Sequence, residues 1–425
     1  MSRIIVLDKE VDLTHSFINK NILIKNKVTS AVTSLLTSQA ICKCIGVFNL
    51  KGQILPRVSH WLSQGFIHTR YADESIITYA NNFSYLIDYL NTHNLFSSYE
   101  NDEALQYIES HHFEEYFNYL AREEKLCAST IRNREATYVD FFKSYLCLNS
   151  SRGLEYREDN PLSDGWLSPS PKNKLVETVS IDELIGILKL CTRESERAVI
   201  QFMIDSGLRV SEVPRVTKGN VDDAFEFEKS TLIVNEDKDE DELTVVIPPV
   251  YKPLFVYGSK GRKNEIKPRY TFISISTLKR IKRYLSNPIY KKHVKRASRS
   301  SPVFFNSKGN VWTKKSLQKL IKRKSKKALK MGIIKRSFHP HKLRHSFSIN
   351  LLQSNDLGTD GNHRMMILKN ALGHNSVDTC KIYTTVPSDI YCQFLDENGA
   401  FLTRNELMDM VWSKTKIKPN FKTAV

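Results

Sequence analysis

His341-Lys342-Leu343-Arg344-His345 packs two histidines and an arginine into five residues. An arginine suits the clamping of a tetrahedral phosphate, and a histidine suits proton traffic near neutral pH. Two further blocks share this chemistry. Upstream, Gly207-Leu208-Arg209-Val210-Ser211-Glu212 supplies a second arginine, 135 residues before Arg344. Downstream, Leu372-Gly373-His374 supplies a third histidine, and Tyr383 follows it by nine residues. A tyrosine can attack phosphorus, so the three blocks together hold phosphate clamps, proton carriers and a nucleophile.

The charge around these blocks says which kind of phosphate to expect. The chain of 425 residues carries a formal charge of +17. Between Lys260 and His345 there are 28 lysines and arginines against one acid, Glu265. Apolar residues are interleaved with them (Phe272, Ile273, Ile275, Leu278, Ile281, Leu285), so the segment reads as folded and suits a phosphate backbone. The basic helix expected at about 313–331 belongs to that surface and suits phosphate rather than base contacts. Asp222 to Glu242 is the counterweight, with ten acids and two lysines.

Length implies two or three domains, and 41% apolar residues suffice for ordinary cores. No stretch reaches the roughly 18 apolar residues of a membrane span, and Met1 to Asp8 lacks a signal-peptide pattern. Seven scattered cysteines read as reduced thiols. A cytoplasmic, DNA-associated protein is the expectation.

Along the chain, residues 1–70 form an N-terminal extension with weak helical patterning from Val28 to Leu50. Helical spacing predicts a small all-helical domain over 71–160, with helices around 76–90, 113–122 and from Ser129. Residues 161–177, rich in proline and poor in apolar side chains, read as a linker. A catalytic domain is expected over 178–395. It should open with a capping box at Ser180-Ile181-Asp182-Glu183, followed by helices at about 181–191 and 194–205. Strands are predicted at 231–234, 243–247, 254–257 and 270–275, and helices again at about 276–286, 313–331, 341–353, 363–372 and 376–383. Residues 396–425 form a C-terminal tail. The fold class is mainly α with a small antiparallel β-sheet (α+β).

With those blocks and that order, the second half of the chain resembles the tyrosine recombinases, the family of phage integrases and Xer recombinases. The resemblance is firm over 178–390 and extends to the helical domain, which looks like the family's core-binding domain. It implies the DNA breaking-rejoining fold and site-specific recombination through a 3′-phosphotyrosine. Arg209 and Arg344 would hold the nonbridging oxygens, where lysine could not copy the paired geometry. Tyr383 would be the nucleophile, with Tyr391 the other tyrosine nearby. His341 would be the base or proton shuttle, His374 would bond a phosphate oxygen, and Glu212 would orient the site without reacting.

The leaving 5′-hydroxyl needs a proton donor. The family places a lysine in a hairpin loop, matched here by Lys260 with Lys263 as its rival. The long acidic excursion at 235–242 and Pro248-Pro249 leave the register of that hairpin open. His339, His341 and His345 lack a fourth ligand, so neither metal nor other cofactor is expected.

The resemblance also implies double-stranded DNA as partner and a homotetramer in the synaptic complex. Residues 396–425 could dock on a neighbouring protomer, and directionality or accessory proteins could join. The N-terminal extension favours a mobile element that integrates and excises. The rivals are a type IB topoisomerase-like enzyme and a non-catalytic DNA-binding accessory protein.

Overall fold

The computed structural model describes residues 5–12, 41–49, 51–147, 157–171, 176–228, 231–233, 244–246, 250–258, 267–294, 296–357, 360–384 and 402–417. The chain divides into two compact units at Asn173 and Lys174. Helices predominate, and among the described residues the strands form three two-stranded antiparallel sheets. No described helix is long and apolar enough to cross a membrane. Cys191 and Cys380 are buried free thiols.

The first unit starts with β1 (Ile5–Asp12) paired to β2 (Ile41–Gly46). The helical patterning expected from Val28 to Leu50 is therefore corrected where the structure describes it. Ile45 and Val47, two residues apart, are both buried, which is the period of extended chain. Their amides are satisfied by the next helix, α1 (Pro56–Ile67): Ile45 N–H donates to Ser63 Oγ and Val47 N–H to Ser59 Oγ, both at 2.9 Å.

Helices α2 (Asp73–Leu90), α3 (Ser110–Arg122) and α4 (Ala128–Phe141) complete the unit. Ile45, Val47, Leu55, Val58, Trp61 and Leu62 share one core with Phe83, Phe113, Tyr138 and Phe141. The expected boundary after residue 70 thus does not divide this core. Trp61 explains the continuity, because its ring meets Tyr71, Phe83 and Phe141 edge-on.

The segment expected to be a linker is fastened to the same unit at Trp166, Leu167 and Ser168, while Val176 and Glu177 at its far end belong to the second unit. Glu135 is fully buried on α4 and accepts the amides of Leu167 at 2.6 Å and Ser168 at 3.1 Å. Arg132 donates to the Ser168 carbonyl at 2.8 Å and stacks on Trp166. Composition alone reads such a stretch as free, but a buried carboxylate without these donors would be costly.

The second unit opens with α5 (Ile181–Lys189), and the predicted capping box is formed: Ser180 Oγ accepts from Glu183 N–H, and the Glu183 carboxylate accepts from Ser180 N–H. Then come α6 (Glu194–Ser206) and α7 (Lys218–Glu226). The four predicted strands are present as two hairpins, β3 (Thr231–Ile233) with β4 (Thr244–Val246) and β5 (Tyr251–Val256) with β6 (Arg269–Ser274). The acidic excursion joins β3 to β4, so it leaves the β5–β6 register intact, Tyr251 facing Ser274 and Val256 facing Arg269.

Helices α8 (Ile275–Leu285), α9 (Pro288–His293), α10 (Lys314–Lys330), α11 (Pro340–Gln353) and α12 (Gly361–Leu372) follow. The helix predicted at 376–383 is instead a run of tighter 3-10 turns, Val377–Tyr383. Last comes α13 (Arg404–Thr415), whose Leu407, Met408 and Val411 lie in this unit's own core. Arg404 is 1% exposed, sits 3.3 Å from Asp205 and donates to the Phe272 carbonyl at 2.8 Å. The described part of the expected tail is therefore a core helix of the second unit.

Candidate active site

Two glycines turn the chain so that the site can assemble. Gly207 ends α6 at φ 62°, and a Cβ there would lie 2.3 Å from the Phe347 ring on α11. Gly373 ends α12 at φ 64°, and a Cβ there would lie 2.9 Å from Arg269 Cδ. Each position therefore demands glycine both for its left-handed backbone and for a close approach. These are the glycines of the Gly-Leu-Arg and Leu-Gly-His blocks.

Arg344 joins the two turns. It is 2% exposed, and its guanidinium donates to the Gly207 carbonyl and the Leu372 carbonyl, each at 2.6 Å. It lies at the C-terminal ends of α6 and α12, where helix dipoles favour a cation. Burial, then the charges of Arg209 and Arg269, lower its pKa to about 9, so it stays protonated at neutral pH.

Arg209 is partly exposed and pairs with Glu212, Nη1 to Oε1 at 3.1 Å. Glu212 Oε2 also accepts the Arg209 amide at 2.7 Å. Burial alone would raise the Glu212 carboxyl, yet the hydrogen bonds and charge of Arg269, joined by those of Arg209, bring it down to about 2. Two guanidinium groups thus share one carboxylate, and Arg344 lies close enough to feel all three charges, leaving an excess of positive charge suited to a phosphorane-like transition state.

The histidines and the tyrosine line the same place. His341 and His345 lie one turn apart on α11, ring centroids 4.3 Å apart. His345 Nδ1 is 3.2 Å from the Tyr383 hydroxyl, and Tyr383 is 3% exposed. His374 Nδ1 contacts the buried Cys380 thiol at 3.2 Å. Desolvation and then neighbouring cations lower all three imidazoles, to about 4 for His345 and His374. Burial raises the Tyr383 phenol, although Arg344 and Arg209 work against it.

Sequence reasoning missed three of these groups. Arg269 occupies the first position of β6, and nothing local distinguishes it from its many basic neighbours. His345 stands beside Arg344, and its signal was a spacing of four from His341. Cys380 gave none. Lys260, Lys263 and Tyr391 lie outside the described residues. The neck of the β5–β6 loop is described: Arg215 donates to the Gly258 carbonyl at 2.7 Å, and Gly258 at φ 74° would, with a Cβ, collide with the Lys267 carbonyl at 2.1 Å. The neck is therefore tied to the turn following Glu212.

A pH dependence follows from the lowered imidazoles. The ordinary histidine value is 6.5, so the unfolded chain takes up protons at His345 and His374 before the folded one does. Their stability contribution is complete above pH 6.5 and lost as pH falls toward 4. Glu212 contributes above about pH 4.5 and loses that contribution only as pH falls toward 2. Thermal melts of the DNA-free protein between pH 7.5 and 5 should show a falling Tm. The double variant His345→Asn, His374→Asn should show a shallower fall, and parallel slopes would refute this assignment.

Residues 175–388 match the phage integrase family. An integrase/recombinase of Escherichia coli is 26% identical over 283 residues, 64% of this chain and 75% of that protein. Among solved structures, the XerH site-specific recombinase bound to palindromic difH substrate, in a post-cleavage complex, aligns with a TM-score of 0.50 at 21% identity, over 73% of this chain and 76% of that one. A Tn1549 transposon integrase in complex with a circular-intermediate DNA aligns with a TM-score of 0.53 at 12% identity, over 79% of this chain and 97% of that one. At such identities the structural likeness speaks for the fold.

Proposed function

Since the chain belongs to the phage integrase family and is a tyrosine-type site-specific DNA recombinase, we propose that it cuts and rejoins double-stranded DNA through a 3′-phosphotyrosine at Tyr383. The observation that carries this reading is the Tyr383 hydroxyl, held 3.2 Å from a neutral imidazole in a site that also contains Arg209 and Arg344.

In the forward step the Tyr383 oxygen bonds to phosphorus, and its proton passes to an imidazole of the His341–His345 pair. Arg209 and Arg344 neutralise the nonbridging oxygens as charge builds there, and His374 donates a hydrogen bond to one of them. The bond from phosphorus to the 5′-oxygen breaks, and that oxygen takes a proton from the hairpin lysine, Lys260 or Lys263. Attack by a partner strand's 5′-hydroxyl reverses every transfer, so the phosphodiester energy is conserved without a nucleotide cofactor.

Exchange at two duplex DNA sites breaks four strands, and one Tyr383 per chain then suits a tetramer. The mobile-element role is supported by the Escherichia coli relative's description as an integrase/recombinase. A nicked suicide duplex containing the recognised site should trap the chain on one DNA arm. A plasmid with two such sites should yield exchanged products. Relaxation of supercoils without exchange would support the topoisomerase reading instead, and DNA binding without an adduct would support the accessory protein.

A further inference from the structure

Arg269 has no place in the mechanism above, yet it touches two of the three blocks and begins a strand of the hairpin. Its Nη1 and Nη2 donate to Glu212 Oε1 and Oε2, both at 2.8 Å, in a two-pronged pair. Its Nε donates to the Ala371 carbonyl at 2.9 Å, in the last turn before Leu372-Gly373-His374. Its side-chain stem runs against Gly373 so closely that a Cβ there would be 2.9 Å away. Its backbone belongs to β6 and pairs with Val256, two residues from the neck of the lysine loop.

The side chain is 9% exposed, and its Nε and both Nη atoms are engaged. The carboxylate it holds also pairs with Arg209, so Arg269 is well placed to fix a group that takes a phosphate oxygen. Glu212 receives two guanidinium groups on its two oxygens, and Arg269 holds that carboxylate so that the Arg209 fork points in one direction. A planar fork does this where a lysine, with its single nitrogen, would hold one oxygen at a time.

Resting on the reading of Arg209 as a phosphate clamp, we propose that Arg269 is a positioning residue that locks the Arg209–Glu212 pair to the hairpin strand and the Leu-Gly-His turn. It sets the aim of the Arg209 guanidinium at the scissile phosphate.

The test is single-turnover cleavage of a nicked suicide duplex by the full chain, with either an ordinary phosphodiester or a methylphosphonate at the cleavage position. A methylphosphonate has lost one nonbridging charge and with it much of the demand for a guanidinium. Arg269→Gln should cut the ordinary duplex about 10- to 100-fold more slowly, the range expected for a misaimed hydrogen-bond donor, and bind it as well as wild type in a mobility-shift assay. On the methylphosphonate its deficit should shrink to within about threefold of wild type, in parallel with Arg209→Ala. Arg269→Lys should fall between wild type and Arg269→Gln.

If Arg269→Gln folds poorly, a cycle with Glu212→Gln decides: the double variant should be no slower than the slower single one, because both remove one linkage. A deficit unchanged on the methylphosphonate, or additive effects in the cycle, would overturn the proposal. Failure of the wild type to form an adduct would instead count against the recombinase mechanism itself.

Discussion

Replacing Tyr383 by phenylalanine should abolish the covalent protein–DNA adduct and leave DNA binding intact. The change removes one oxygen from a ring that is 3% exposed, and the ring still fills its place in the second core. Packing is conserved and the nucleophile is gone, so the loss should be at least about 10⁴-fold, the scale on which a covalent catalyst fails without its nucleophile. The lost contact to His345 Nδ1 should cost stability only modestly. Denaturing electrophoresis of the trapped suicide substrate gives the readout. An adduct formed by Tyr383→Phe at a rate near wild type would remove Tyr383 from the mechanism and turn attention to Tyr391.

Arg344 should show the second large effect, on stability as well as rate. Its guanidinium ties the Gly207 and Leu372 carbonyls together in the interior. Arg344→Ala leaves both carbonyls without that donor, at about 1–3 kcal/mol for each buried unsatisfied group. Cleavage should also fall by about 10²–10³-fold, as for the loss of one preorganised donor. Arg344→Lys separates the two effects. It keeps a cation near the helix ends and should melt closer to wild type. It cannot span two carbonyls and also present a paired donor to phosphate, so its cleavage should remain at least tenfold impaired. Calorimetric melts and single-turnover rates on the same preparations check this, and wild-type cleavage by Arg344→Lys would rule out the paired-donor role.

The blocks were legible because each couples a chemical group to a local backbone requirement. Gly207 and Gly373 are read as motif letters, and both prove to be left-handed helix ends pressed against another side chain. The Ser180–Glu183 capping box is equally local: its two hydrogen bonds span three residues, so four letters suffice to predict it. The strands of the lysine hairpin were legible from their period, but their register became definite only with Tyr251 facing Ser274.

Contacts over long sequence distance were not legible. Arg269 is one of the 28 basic residues between Lys260 and His345, and its partner Glu212 lies 57 residues earlier. Only the pairing of β5 with β6 brings Arg269 to the carboxylate. His345 reaches Tyr383 across 38 residues because the 3-10 turns of Val377–Tyr383 aim the phenol at α11. The proline-rich segment read as free chain is held by Glu135, 33 residues away from Ser168. The final helix, read as a tail, is anchored by Arg404 at Asp205.

By itself, then, the sequence determined the family to which this chain belongs, the side chains available for its chemistry and the local turns that shape them. These depend on side-chain identity and on hydrogen bonds spanning a few residues. The tertiary structure alone decided which guanidinium groups share Glu212, which imidazole meets Tyr383 and where the helix Arg404–Thr415 is anchored. Those choices depend on strand register and helix packing, through which residues far apart in sequence come within hydrogen-bond distance.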